Sequence, residues 1–272
     1  MSNPDHPSPA TVASTRAYWD LLADRYQREN RIATDRFHYG PLQPDDEALR
    51  LLPEPVEGLR CLEVGCGAGQ NSIALARRGA RCTALDISEA QIAHGRRLAD
   101  EAGVEVDWRT GPMERLPDLV EGPFDLIHSA YAVPFTEDPA AMVRTMGGLL
   151  GPGGTMILVV GHPLYAGEWL EVDADERGVF LPDYFHPPSD RRTSDDGRHD
   201  VCCRFYPVST WFDWLREAGL TVDRLVEPRP EADAGACAYE SEEWRESLEA
   251  LQKVPMVLVF RAVKANAPHR SP

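Results

Sequence analysis

No apolar run of about eighteen residues or more occurs in the chain, so no segment is long enough to cross a bilayer as a helix. The first residues carry Pro4, Pro7 and Pro9 and lack the basic start and apolar core of a secretory signal. A soluble, cytoplasmic protein without a membrane partner is expected. Basic residues are few: 28 Lys and Arg stand against 44 Asp and Glu, a formal charge of −16. Such a chain repels a phosphate backbone unless it carries a local basic patch. The pair Arg191-Arg192 is flanked by Asp190 and by Asp195-Asp196, which reads as a solvated loop, so no nucleic-acid partner is expected. The six cysteines, Cys61, Cys66, Cys82, Cys202, Cys203 and Cys237, show no CxxC spacing. Neither a metal site nor a disulfide framework is expected from them.

What the chain does have is an apolar run, Leu59 to Val64, followed by glycines at 65, 67 and 69 and then a helix start. Glycine lacks a Cβ, so a sharp turn can form and a ligand can press on the backbone at the helix N-terminus. With Glu63 two residues before the first glycine, the pattern predicts a nucleotide-like ligand across a strand-to-helix turn. A dinucleotide fingerprint wants its third glycine where Gln70 stands, and a P-loop wants Gly-Lys-Ser/Thr, which is missing. Asp86 closes the next apolar run, Arg81 to Leu85, where a nucleotide-binding fold places the acid that bonds the ribose hydroxyls. Capping the helix that starts at Ser88-Glu89 is its other reading.

Further runs at 105–109, 124–129 and 155–160 alternate with helical patterns at 89–102 and 139–150. This βαβ rhythm calls for a parallel sheet with helices on both faces. Residues 1–14 read as a disordered tail and 15–58 as an N-terminal helical lid whose aromatics recur at helical spacing. Residues 59–160 form the cofactor-binding half of the core. Residues 161–206 lack a long periodic run and are too long for an ordinary connection, which predicts a cap insertion over an acceptor site. A second core half, 207–264, has strands expected over 220–226 and 254–263, a loop between about 227 and 240, and an acidic helix over 241–251; a tail, 265–272, follows.

At four places the residues resemble class I S-adenosylmethionine-dependent methyltransferases. Glu63-Val64-Gly65-Cys66-Gly67-Ala68-Gly69 is similar to the family's first motif and Leu85-Asp86-Ile87-Ser88 to its second. Phe124-Asp125-Leu126-Ile127 and Leu149-Leu150-Gly151-Pro152-Gly153-Gly154 resemble the signatures of the fourth strand and of the approach to the fifth. The overall flavour is that of small-molecule enzymes of actinobacterial type. The resemblance implies an α/β fold, a doubly wound, mostly parallel seven-stranded Rossmann-like sheet whose last strand is antiparallel. It also implies S-adenosyl-L-methionine as cofactor and a small-molecule acceptor, expected to be one of secondary, specialised metabolism.

By position, the resemblance gives Gly65, Cys66, Gly67 and Gly69 the methionine end of the cofactor, with Glu63 orienting the loop. Asp86 takes the ribose, Ile87 packs on the adenine, and Gln91 lies nearby. Pro112, Met113 and Glu114 form the adenine wall with Gly111, although the family often places an Asp where Pro112 stands. Ser129, Ala130 and Tyr131 follow the fourth strand beneath the sulfonium, and Tyr18, Trp19, Tyr26 and His38 are lid candidates. Catalytic candidates are His162, directly after the fifth strand, with Tyr131 and Tyr206; Tyr165, Tyr184 and His186 also lie in or beside the insertion. A nicotinamide-dependent oxidoreductase and a catalytically inactive cofactor-binding protein are the alternative functions.

Overall fold

The computed structural model describes residues 10–173, 176–233 and 237–266. Most of the two tails expected at 1–14 and 265–272 lies outside them. The chain does not stay irregular to residue 14, however: Thr11 accepts a hydrogen bond from the Ser14 N–H and starts helix α1, Val12–Glu29. Strand β1 (Asn30–Ile32) and the short helix α2 (Asp46–Leu49) complete the N-terminal segment. Then β2 (Arg60–Val64), α3 (Gln70–Arg77), β3 (Arg81–Asp86), α4 (Glu89–Ala102), β4 (Val106–Thr110), α5 (Leu116–Leu119), β5 (Phe124–Ala130), α6 (Pro139–Leu149) and β6 (Leu150–Gly161) follow in alternation. Side-chain caps start two of these helices: Ser88 accepts from Gln91 N–H, and Asp138 from Ala141 N–H.

The insertion at 161–206 is not irregular. It contains two hairpins, β7 (Glu168–Asp173) with β8 (Glu176–Phe180), and β9 (Asp190–Thr193) with β10 (Asp200–Cys203). Strands β7, β8 and β9 are short, charged and largely exposed, so they lack the apolar alternation that marks a half-buried strand, whereas β10 buries Val201, Cys202 and Cys203. After α7 (Val208–Glu217) and β11 (Leu220–Val226), the segment expected to be a loop holds β12 (Tyr239–Ser241), which pairs with β1. The acidic helix expected over 241–251 is broken at Ser247 into α8 (Glu242–Glu246) and α9 (Leu248–Leu251), and β13 (Val257–Lys264) closes the core.

The central sheet has the order β11-β13-β6-β5-β2-β3-β4. From β4 to β6 neighbouring strands are parallel, and β13 runs antiparallel to both β6 and β11. Side chains alternate between its faces. Leu62, Val64, Ile127, Leu158 and Phe260 join α6 and α7 on one side, while Cys61, Leu126, Ile157 and Val259 face Leu75, Leu51 and Phe37 on the other. Both faces are buried, which is why these strands read as continuous apolar runs. Each fully buried Leu or Ile contributes roughly 1.5–3 kcal/mol. Strand order reverses at β2, between β3 and β5, and a crevice at such a point, off the carboxyl ends of the strands, is where open α/β sheets bind ligands.

Candidate cofactor and acceptor site

The three glycines of the turn after β2 all have positive φ, +72°, +55° and +66° at Gly65, Gly67 and Gly69, but they serve different ends. A Cβ on Gly65 would come within 2.0 Å of the Ala132 Cβ, and one on Gly69 within 2.6 Å of the Trp108 ring. Those two glycines let protein pack against protein. A Cβ on Gly67 would meet nothing within 4 Å, so Gly67 presents bare backbone to open space, a cradle for a ligand. Cys66 is buried against Ala84 and Ile92, and burial pushes its thiol well above the usual range.

Two acids hold the turn. Glu63 accepts from the Ser72 N–H at 3.0 Å and the Ser72 hydroxyl at 2.5 Å, tying β2 to α3. Burial lifts its carboxyl to about 8, so near neutral pH it is mostly the protonated acid. Asp86, at the end of β3, accepts from Gly67 N–H at 2.7 Å and Ser88 N–H at 2.9 Å. Burial raises it to about 6, with backbone donors pulling it down and Asp20 adding to the rise. Both readings of Asp86 meet here, because it braces the start of α4 and borders the open Gly67 backbone.

Helix α1 lies over this crevice and is bonded to it. Asp20 Oδ1 accepts from the Ser88 hydroxyl at 2.6 Å and the Ala90 N–H at 3.2 Å, and Asp24 meets His94 at 2.7 Å. Gln27 donates to Gln91 and accepts from Gln70, both at 2.9 Å. Asp20, Asp24 and Gln27 stand at i, i+4 and i+7, one face of a helix, and that polar stripe is the sequence signal of the docked face. Residues of the 161–206 segment hold the other side of α1, with the Ser14 hydroxyl donating to Asp200 O and Arg25 paired with Asp195.

Beside the turn, side chains from 15–58, from the end of β5, from 161–206 and from β12 bring together a cluster of phenols. Tyr131 follows β5 in a left-handed conformation, φ +60°, and its buried hydroxyl has no hydrogen-bond partner among the described residues. Its ring presses on Gly40, where a Cβ would sit 2.6 Å from Tyr131 Cε2. The Tyr26 and Tyr239 hydroxyls are hydrogen-bonded to each other across the β1–β12 pairing. The His38 ring stands edge-on to Tyr239 at 5.3 Å, and its Nδ1 accepts the Gly40 N–H at 3.3 Å. Tyr165 stacks on Trp244 at 5.5 Å. Tyr18 and Tyr26 flank Trp19, which meets Phe135 edge-on at 5.7 Å. Tyr239 carried no sequence signal, because its segment read as a loop.

Other expected site residues fall elsewhere or are spent. Ser129 donates its hydroxyl to Val64 O at 2.7 Å, and Ala130 is half-buried against the sheet. Ile87 and Pro112 are half-buried, and Met113 Cε lies 3.6 Å from where a Gly65 Cβ would be, so the methionine borders the turn. Glu114 is exposed. His162 caps the turn at 163–166, its Nδ1 accepting from Leu164 N–H at 3.1 Å and its Nε2 meeting Glu227 at 3.0 Å. Both ring nitrogens are therefore occupied, and the imidazole is not placed to take a substrate proton. Tyr206 packs edge-on against Trp211 and Trp214, alongside the α7 face of the core. Tyr184 and His186 are exposed. A cavity of about 950 Å³ lies at the amino end of the sheet, lined by Arg60, Arg81 and Val106, the end opposite to where such sheets bind ligands.

The comparisons with known proteins agree with this geometry. Residues 61–154 match a methyltransferase domain family. A ubiquinone biosynthesis O-methyltransferase of Xylella fastidiosa is 31% identical over 216 residues, covering 79% of this chain and 78% of that protein. One from Pseudomonas aeruginosa is 31% identical over 229 residues, covering 83% and 88%. Among solved structures, an S-adenosylmethionine dependent methyltransferase of Mesorhizobium loti aligns with a TM-score of 0.63 and 27% identity over 80% of this chain and 96% of that one. The nicotinamide alternative finds no support among these relatives. Given an open glycine backbone beside a buried acid at the strand-order reversal, and relatives of this length and identity, the chain belongs to the S-adenosylmethionine-dependent methyltransferases.

Proposed function

We propose that the protein transfers a methyl group to a hydroxyl of a small, flat, unsaturated acceptor held between the lid, 15–58, and the cap, 161–206. The observation that carries this reading is the cluster of aromatic side chains Tyr26, Tyr131, Tyr165 and Tyr239 near the glycine turn. Such walls suit a planar ring, which gains from offset or edge-on contact as well as from burial. Relatives named as O-methyltransferases support oxygen as the atom methylated. Their names point to ubiquinone biosynthesis and lend no support to a specialised-metabolism setting, so the acceptor is described by its chemistry alone.

In this reading Gly67 and its neighbours carry the methionine end of the cofactor, Asp86 accepts from the ribose hydroxyls, and Gln91 and Met113 border the base. S-adenosylmethionine supplies a methyl group already activated by its sulfonium, so the chain's own work is alignment and exclusion of water. Helix α1, bonded to α4 and α3, covers the crevice, and Tyr131 lines it from the end of β5. A panel of phenols, enols and amines incubated with the cofactor, read by release of S-adenosylhomocysteine and by product mass, tests the reading. Methylated phenols or enols are expected. Methylation confined to nitrogen or carbon would overturn it, and no turnover with any acceptor would restore the inactive cofactor-binding alternative.

A further inference from the structure

The aromatic cluster holds several hydrogen-bond donors and, among the described residues, no poised base. Tyr131 Oη is buried and without a partner among the described residues. Because His38 Nδ1 accepts the Gly40 N–H, the proton of the neutral ring sits on Nε2, which is a donor. The Tyr26–Tyr239 pair uses one of its two hydroxyl protons internally and keeps one to give. Tyr131 and His38 meet at the Gly40 backbone, and the His38 ring stands edge-on to Tyr239.

The charged groups lie outside this core. Tyr131 faces Tyr165, Tyr26, Cys203 and Tyr239, His38 faces His128, and Glu243 acts on Tyr239. Arg192, Asp190 and Glu243 act on Tyr165, and Arg192 and Glu243 also act on Tyr26. Arg192 is bonded to Asp190 at 2.7 Å, and Glu243 is exposed. Burial keeps Tyr131 and Tyr239 neutral and holds His38 at about 4, an uncharged imidazole. With His162 committed to Leu164 and Glu227, the described residues of the interior offer donors to a negative oxygen but no free base to take a proton from a neutral one.

Resting on the O-methyl reading, we propose that the aromatic cluster receives its acceptor as a preformed oxyanion, with Tyr131 Oη and His38 Nε2 donating to it, so that the favoured substrates are acidic phenols or enols. The oxygen lone pair forms the new C–O bond while the methyl–sulfur bond breaks with its electrons remaining on sulfur. No proton is transferred in that step. Acceptors whose hydroxyl ionises only at high pH are poor substrates.

A nitrophenol whose anion absorbs in the visible reports this without turnover. Titrated into the protein saturated with S-adenosylhomocysteine, the bound probe should ionise at lower pH than the free one. Its ionisation constant should rise by about tenfold for each donor. Tyr131→Phe keeps the ring against Gly40 and should return about one such factor, whereas Glu243→Gln should change nothing. A probe bound as the neutral phenol, a probe that does not bind, or loss of the effect in Glu243→Gln would overturn the assignment. Product mass with acidic and weakly acidic phenols is read separately. Absence of any O-methylated product there is failure of the O-methyl reading, while equal rates across the acidity series count against the oxyanion assignment alone.

Discussion

If Asp86 accepts hydrogen bonds from the ribose, cofactor affinity must follow the ionisation of its carboxyl. In the ligand-free protein burial holds that carboxyl at about 6, and only the ionised form offers acceptors to both Gly67 N–H and a diol. Above pH 7 the site is almost entirely ionised and affinity is flat. At pH 5 about one site in ten is ionised, so the apparent Kd for S-adenosylhomocysteine should rise about tenfold, and binding should expel a proton. Calorimetry in buffers of different ionisation enthalpy reads both quantities. Asp86→Asn keeps the size and one acceptor oxygen but removes the charge. It should lose on the order of 1.5–3 kcal/mol of binding at pH 8 and show no pH dependence between 8 and 5. A Kd that stays constant over that range in the native protein, or a slope that survives in Asp86→Asn, would refute the reasoning.

Other outcomes follow from particular contacts. Gly67→Ala should cost roughly 1–2 kcal/mol of stability for its left-handed backbone yet block cofactor binding, because its Cβ enters open space. Gly65→Ala should unfold far more easily, since its Cβ meets Ala132 at 2.0 Å; denaturant titration and cofactor binding, measured side by side, separate the two. Asp20→Asn weakens the hold of α1 on Ser88 and Ala90 and removes a charge that lifts Asp86. Faster release of S-adenosylhomocysteine in stopped flow, with the pH midpoint of binding moved lower, is expected, and an unchanged release rate would detach α1 from the role of lid. Among the described residues neither ring nitrogen of His128 has a hydrogen-bond partner, Glu63 Oε1 lying 3.9 Å from Nδ1; its side chain is 2% exposed, and burial lowers its value from 6.5 to about 3. The unfolded chain therefore takes up that proton first, and stability falls by about 1.4 kcal/mol per pH unit from this group as pH drops from 6.5 toward 3. His128→Leu should remove that slope and match or exceed native stability at pH 5, as measured by thermal unfolding; a large loss there would show that His128 has a partner it needs.

The sheet was legible because each strand buried on both faces is a continuous apolar run, and each crossover helix carries its own stop signal. The antiparallel β13 came from the family resemblance, since nothing in Val257 to Lys264 encodes direction. The glycine turn was legible as a turn, but the division of labour among its glycines was not. Whether a Cβ meets Ala132, Trp108 or open space depends on residues distant in the chain. The same holds for the phenol cluster. Tyr26, Tyr131 and Tyr239 come from three separate elements, and β12 pairs with β1 across more than two hundred residues of sequence. His162 shows the converse. Its place after the fifth core strand suggested a base, yet the local turn at Leu164 and the distant Glu227 occupy both nitrogens.

A crystal structure of the protein with S-adenosylhomocysteine tests the central claim most directly. The ribose hydroxyls should lie against Asp86, the amino-acid end over the bare backbone of Gly67, and the sulfur toward Tyr131 and Gly40 beneath α1. Density for the ligand in the cavity beside Arg60 and Arg81, or at the turn with its sulfur directed away from Tyr131, would contradict it.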